Sequence, residues 1–220
     1  MLELEFKTRM AGCDSVRTVG GFLGSFDPPH CGHGWIVARL LDRFEVVVVM
    51  LPSFHFEKQV RPPLNATLDQ RIEMLQALRA TSPDRIHLAV AHEVLYLRLA
   101  ACLAATFPRA EVGLGMGDDS FRRLLDSRAY FERKAIPWAA AEDHALSRLA
   151  RHVVVFGRSG ALPGAVDVPA SIREISSTAV RERIRALRNE GAAPCDWRSR
   201  LQGWVLPEVL EAIEQHGLYR

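Results

Sequence analysis

The sequence has no apolar run long enough to cross a bilayer as a helix, which takes about 20 consecutive apolar residues, so a helical membrane protein is excluded. Cysteine is sparse. Cys13, Cys31, Cys102 and Cys195 form no CxxC pair and no zinc spacing. Free thiols in a reducing compartment are therefore expected, not a disulfide framework or a metal site. Net charge is nearly absent: 28 Lys and Arg against 26 Asp and Glu leave +2. That balance implies neither nucleic acid nor membrane as a partner, and any basic function must come from local clustering. The Arg-rich stretch from Arg181 to Arg188 alternates with apolar and acidic residues and reads as one solvated helix face. The first ten residues, MLELEFKTRM, have no hydrophobic signal core. They read as a cytoplasmic start, with residues 1–15 a loose leader before the fold begins near Val16. No internal repeat, low-complexity tract or linker divides the rest, so residues 16–220 are expected to form one domain that includes a C-terminal helical extension.

What is present is an alternation of strand-like and helix-like segments. Val16 to Leu23 reads as a strand, and Cys31 to Asp42 as a helix with its apolar residues on one side. EVVVVML, from Glu45 to Leu51, is a β-branched run of the kind buried on both faces of a parallel sheet. Thr67 suits the N-cap of a helix through Leu78, on which Leu68, Ile72, Leu75 and Leu78 form a stripe. Strands are expected at Ile86–Val90, Glu111–Met116 and His152–Phe156. Helices are expected at Glu93–Phe107, Asp118–Leu125, Thr178–Arg188 and Pro207–His216, with helix and loop mixed in 127–151. The fold class that follows is α/β: a doubly wound, Rossmann-like parallel sheet with helices on both faces. Ligands bind such sheets at the carboxyl ends of the strands, where the strand order reverses.

Two segments carry chemistry. Gly24-Ser25-Phe26-Asp27-Pro28-Pro29-His30-Cys31-Gly32-His33 follows the first strand and opens the first helix. A helix N-terminus offers unpaired N–H groups and the positive end of its dipole to an anion. His30 and His33 add side-chain donors there, and Gly32 lets a phosphate approach the backbone. The plainer reading is a turn with two incidental histidines or a partial metal site. Ile175-Ser176-Ser177-Thr178-Ala179-Val180-Arg181 opens a later helix. Its hydroxyls can cap, and Arg181, one turn in, can reach the same anion; the plainer reading is a capped helix. Together the two helix starts suggest a polyphosphate held between them.

HxGH after the first strand and ISSTxxR late in the chain mark a resemblance to the HxGH nucleotidyltransferase superfamily, and most nearly to bacterial nicotinate-nucleotide adenylyltransferases. The resemblance spans nearly the whole chain from Val16. GSFDPPHCGH resembles that family's GxFDPxHxGH, and Gly117-Asp118-Asp119-Ser120-Phe121 its GxDS segment followed by an apolar residue. Phe156-Gly157-Arg158-Ser159-Gly160 resembles its Arg-x-Gly turn, and Val205 to Tyr219 its VPxxV…LY tail. The resemblance implies adenylyl transfer from ATP to nicotinate mononucleotide, or to its nicotinamide form, with magnesium accompanying the ATP and no dedicated protein metal cage. It implies that His30 and His33 contact the triphosphate near the α-phosphate. Ser176, Ser177, Thr178, Arg181 and Arg158 hold phosphate, with Gly24, Ser25, Phe26, Gly32 and Gly117 shaping the ATP pocket. Asp119 meets a ribose hydroxyl or the pocket wall. Lys58 is the phosphate-clamping loop lysine, or else a solvated one. Asp27, His55, Arg71, Tyr130 and Trp138 are candidates for the acceptor side, where Arg71 reads equally as a solvated helix face and the aromatics as core.

The sequence departs from the family on that acceptor side. The helix after the third strand, EVLYLRLAACL, lacks the family's threonine, and LLDSRAYFERKAIPW replaces the segment that carries its tryptophan. The lysine loop reads FHFEK where PPHK is common, with His55 and Lys58 in a His-x-x-Lys arrangement. Alternatives are therefore carried: phosphopantetheine or a secondary-metabolism compound as acceptor, or a nucleotide-binding regulator without turnover. Oligomeric state is left open, a homo-oligomer included.

Overall fold

A computed structural model describes residues 4–10, 12–53, 65–92, 95–133, 137–157 and 163–220, with the side chains of Pro194 and Cys195 also left aside. His55, Lys58 and Arg158 lie outside the described residues.

The chain opens with β1 (Leu4–Phe6), a 3-10 turn at Cys13–Ser15, and β2 (Thr18–Leu23). Then come α1 (Cys31–Leu41), β3 (Val46–Pro52), α2 (Leu68–Ala80), β4 (Ile86–Ala91) and α3 (Tyr96–Thr106). The second half holds β5 (Glu111–Gly117), α4 (Asp118–Leu125), α5 (Ser127–Arg133), α6 (Ala140–Ala150), β6 (Val153–Gly157) and β7 (Val166–Asp167). It ends with α7 (Ala170–Arg173), α8 (Ser177–Asn189), α9 (Pro194–Arg200) and α10 (Pro207–Gln215).

β3 shows why the sheet is doubly wound. All seven of its residues are buried. Val47, Val49 and Leu51 pack into one cluster with Val37 and Leu40 of α1 and Leu75 and Leu78 of α2. Val46, Val48 and Met50 face the opposite cluster, with Leu99 and Leu103 of α3, Leu124 of α4 and Leu149 of α6. A β-branched run tolerates this because the strand period of two sends alternate side chains to opposite apolar layers. α2 starts as its sequence suggests: Thr67 Oγ1 accepts from Gln70 N–H at 3.3 Å, and Gln70 Oε1 accepts from Thr67 N–H at 2.9 Å. Gly20 of β2 and Gly113 of β5 leave room for Phe44, which follows α1; a Cβ on either would fall 2.5 Å from its ring.

The sheet order is β1-β4-β3-β2-β5-β6-β7. Every pair is parallel except β1 with β4. From β2 the chain winds outward through β3 and β4, then crosses back to β5 on the other side. The order thus reverses between β2 and β5, whose carboxyl ends are Leu23 and Gly117.

One feature differs from the sequence reading, and two fill in what it left coarse. The N-terminal segment is not a loose leader over its described length: Leu4 pairs with Ala91 and Phe6 with Ala89, antiparallel on the sheet edge. LELEF alternates with the strand period, and the pairing covers an edge that β4 would otherwise leave open. The 127–151 segment resolves into α5 and α6. The C-terminal extension includes α9 and forms its own apolar cluster, in which Val180, Ile184, Trp197, Leu210, Ile213 and Tyr219 close over Met74 of α2.

Candidate functional site

β2 delivers the chain to the carboxyl edge of the sheet, beside the end of β5, and a tight turn then carries it into α1. Within the turn Phe26 has φ 46°, the left-handed region that large side chains seldom adopt. Its buried ring meets Phe22 edge-on at 5.5 Å and His33 at 4.8 Å. Gly24 lets that ring lie against the backbone, since a Cβ there would come within 2.8 Å of it. The Asp27–Pro28 peptide is cis.

His30 is the N-cap of α1 and His33 lies one turn in. Their rings overlap at a centroid distance of 3.7 Å and an angle of 30°. The backbone N–H of His30 donates to His33 Nδ1 at 3.2 Å. An Nδ1 that accepts places the proton of a neutral imidazole on Nε2, so Nε2 of His33 is a donor. Gly32, expected to admit a phosphate, first admits an imidazole: a Cβ would sit 3.0 Å from the His30 ring.

The start of α8 is fastened to this turn. Ser176 Oγ caps the helix by accepting from Ala179 N–H at 3.1 Å. Ser177 Oγ donates to the Pro28 carbonyl at 2.9 Å. Arg181 Nη1 donates to the Asp27 carbonyl at 2.5 Å, and its Nη2 to Thr178 Oγ1 at 3.2 Å. The N-termini of α1 and α8, more than 140 residues apart in sequence, are thus held together at the switch point. Ser177 and Arg181 do part of the holding.

Asp27 is the knot of this arrangement. Its Oδ1 accepts from Ala66 N–H at 3.0 Å and from the Tyr219 hydroxyl at 2.8 Å, and its Oδ2 accepts from Asn65 Nδ2 at 2.7 Å. Arg181 Nη1 lies 3.8 Å from Oδ2. The carboxylate faces inward and ties chain segments together. Arg71 is not a solvated helix face. It is 2% exposed and donates through Nη1 to the Ser25 carbonyl at 3.0 Å and through Nε to the Thr67 carbonyl at 3.3 Å. Burial pushes its guanidinium pKa down, and the Asp27 charge opposes that. Burial, then the neighbouring Asp27 carboxylate, holds the Tyr219 hydroxyl well above the ordinary tyrosine range.

Around this knot, Gly117 and Asp119 are exposed at the start of α4, at the end of the strand next to β2. Tyr130 is half-buried on α5. Trp138 packs edge-on against Phe131 at 5.1 Å, beside the cluster of α3, α4 and α6, and its indole N–H donates to Asp143 Oδ1 at 3.1 Å. That is the core-packing alternative the sequence left open for it. Sequence reasoning assigned no role to Asn65, Trp204 or Tyr219. Trp204 offers its carbonyl to Cys31 N–H at 2.8 Å, so the C-terminal extension reaches the very start of α1. The Leu-Tyr tail was visible as a resemblance, but the partner of its hydroxyl was not. Among the described residues no three His, Cys, Asp or Glu side chains gather to hold a metal ion, and no helix is long and apolar enough to cross a membrane. Cys13, Cys31 and Cys102 are free thiols.

Comparison with known proteins gives the following. The sequence model of a family described as Cytidylyltransferase-like matches residues 22–183, which include the turn and the start of α8. The chain is similar to a probable nicotinate-nucleotide adenylyltransferase of Salinibacter ruber, with 27% identity over 92% of this chain and 98% of the relative. A shorter match, 37% identical, joins 26% of this chain to 31% of a nicotinamide-nucleotide adenylyltransferase of Caldivirga maquilingensis. Among solved structures, the Plasmodium falciparum nicotinic acid mononucleotide adenylyltransferase complexed with NaAD superposes with a TM-score of 0.64 at 16% identity, covering 92% of this chain and 97% of that one. A putative nicotinate-nucleotide adenylyltransferase of Vibrio parahaemolyticus gives 0.56 at 18% identity, covering 93% and 96%. At those identities the structures speak for the fold, which is the doubly wound sheet described above.

Proposed function

We propose that this chain, which belongs to the cytidylyltransferase-like family, is an enzyme that transfers the adenylyl group of ATP to nicotinate mononucleotide, releasing pyrophosphate in the synthesis of NAD. The observation that carries the reading is the pairing of two helix N-termini, α1 and α8, around the stacked His30 and His33 at the β2–β5 switch point. Oriented N–H groups, an Nε2 donor and an arginine all converge on one place, and a polyphosphate suits that place. The names of the Salinibacter and Plasmodium proteins support the same acceptor.

In this reading ATP enters as its magnesium complex, the ion held by phosphate oxygens and water. A phosphate oxygen of nicotinate mononucleotide attacks the α-phosphorus in line. The new O–P bond forms as the bond to the β-phosphate bridging oxygen breaks, and pyrophosphate departs with that electron pair. The chain's own groups position and neutralise. His33 Nε2 donates to an α-phosphate oxygen beside His30. Thr178, Arg181, Arg158 and Lys58 hold the leaving phosphates, and Ser176 and Ser177 keep the α8 start in place. Gly24, Ser25, Phe26, Gly32 and Gly117 shape the adenylate pocket, and Asp119 meets the ribose. His55 and Tyr130 are acceptor-side candidates. Residues 16–220 act as one catalytic unit in the cytoplasm.

The test is pyrophosphate release from ATP and magnesium with nicotinate mononucleotide, nicotinamide mononucleotide and phosphopantetheine in parallel. Release with the first carries the proposal. Release only with nicotinamide mononucleotide, the acceptor suggested by the name of the Caldivirga relative, corrects the acceptor alone. Silence with all three overturns it.

A further inference from the structure

A second cavity lies apart from the strand ends. It occupies about 680 Å³ in the C-terminal helices, between α8, α9, α10 and the tail, and is lined by Arg185, Arg188, Arg220, Glu214 and Trp197 among others. That volume is within the usual range for small-molecule sites, roughly 300–1,000 Å³. Arg181, Arg185 and Arg188 follow one stripe of α8 at helical spacing. Arg185 and Arg188 line this cavity, whereas Arg181, one turn earlier, reaches the Asp27 carbonyl at the strand ends.

The polar groups here are unusual in what they leave unmade. Among the described residues, Nε of Arg185, Nε of Arg188 and Oε1 of Glu214 are buried and have no hydrogen-bond partner. Buried polar atoms are nearly always paired, and leaving one unpaired costs about 1–3 kcal/mol. Arg188 is fixed on two sides, with its guanidinium 4.6 Å from the Trp197 ring centre and Nη2 donating to the Leu218 carbonyl at 3.0 Å. Burial, followed by the charge of Arg220, pushes its pKa down, and Glu214 opposes the shift. Three guanidinium groups against one carboxylate leave a local positive excess that an anion would relieve.

We propose that this cavity is a second ligand site, distinct from the strand-end crevice, for a small molecule that carries both a phosphate group and a free hydroxyl, such as a sugar phosphate. The two Nε–H donors require an acceptor and the excess positive charge requires an anion, which a phosphate supplies together. Oε1 of Glu214 requires a donor, which a hydroxyl supplies. Inorganic phosphate offers Glu214 only a P–OH on the same group that the arginines must hold, and a neutral sugar leaves both arginines unpaired.

The experiment follows the arginine Nε–Hε resonances of the full chain by NMR during titration with ribose 5-phosphate, inorganic phosphate and ribose. The expected result is saturable movement of the Arg185 and Arg188 resonances with ribose 5-phosphate, and at least tenfold weaker binding of the other two. Arg220→Gln, at an exposed position, should weaken ribose 5-phosphate about tenfold while leaving the melting temperature unchanged. Glu214→Gln should narrow its advantage over inorganic phosphate. No saturable movement up to about 10 mM ligand, or movement that His33→Ala abolishes and Arg220→Gln does not affect, overturns the proposal. Inorganic phosphate binding as tightly as ribose 5-phosphate overturns its hydroxyl half.

Discussion

The turn from Gly24 to His33 and the segment from Ser127 to Ala150 are both expected to border the substrates, but they are held in opposite ways. The turn is fixed by partners far away in sequence: Arg71 on Ser25, Asn65 and Tyr219 on Asp27, Arg181 on Asp27 and Ser177 on Pro28. The polar contacts of the segment include many local ones, such as Arg128 with Glu132, Trp138 with Asp143 and Ala139 with Glu142. A turn bound by three distant chain segments cannot change one residue without disturbing several elements. A segment braced largely by near neighbours can change length and composition while the sheet stays intact. The family pattern is kept in the first and altered in the second, as this difference in constraint leads one to expect.

The turn is most sensitive at His33. His33→Ala should lower the rate of pyrophosphate release by about 10²–10³-fold, the usual loss of one preorganised donor. The melting temperature should stay close to that of the parent chain. A variant of near-normal rate would remove the phosphate role from the turn.

Tyr219→Phe comes next. It deletes a buried donor to the Asp27 carboxylate, and denaturant unfolding should show a loss of about 1.5–3 kcal/mol. Activity should fall as the turn loosens. An unchanged midpoint would show that the knot at Asp27 does not brace the site.

The same hydroxyl sets an alkaline limit. Its folded-state pKa is raised above the unfolded value of about 10. Below pH 10 both states keep the proton and the stability is fully present. Above it the unfolded chain releases the proton first, so stability is lost as pH rises. Unfolding midpoints measured across that range should decline in the parent chain, and more shallowly in Tyr219→Phe.

Trp138→Phe should have the smallest effect. It keeps an aromatic ring against Phe131 and removes only the bond to Asp143, so the stability change should stay within about 0.5 kcal/mol. KM for the acceptor should not move. A several-fold rise in KM with stability unchanged would return Trp138 to the acceptor site.

Acid supplies a control away from both regions. Burial, with Arg79 adding to it, lowers the His87 pKa below its ordinary 6.5. The neutral ring lies 3.3 Å from Thr8 Oγ1 behind β1. A depressed histidine contributes stability above the unfolded pKa that is lost as pH falls through it. The protection factors of the Lys7 and Leu88 amides, which join the N-terminal segment to β4, should therefore fall below about pH 6.5 before those of the turn.

Much of this molecule was legible from its residues. The buried β-branched run predicted β3, the Thr67 cap predicted the start of α2, and the alternation predicted a doubly wound sheet, because local periodicity and capping chemistry are short-range properties. The two helix starts at His30 and Ser176 were legible for the same reason. What stayed hidden depended on partners chosen by the fold. LELEF has a strand period, but three residues find a place only when β4 offers an open edge. Asp27 and Arg71 are polar residues whose neighbours in sequence do not reveal that they face inward. Only the packing of α2, α8 and the tail around one turn supplies the hydrogen bonds that let those charges be buried, and so decides that they brace the site from within.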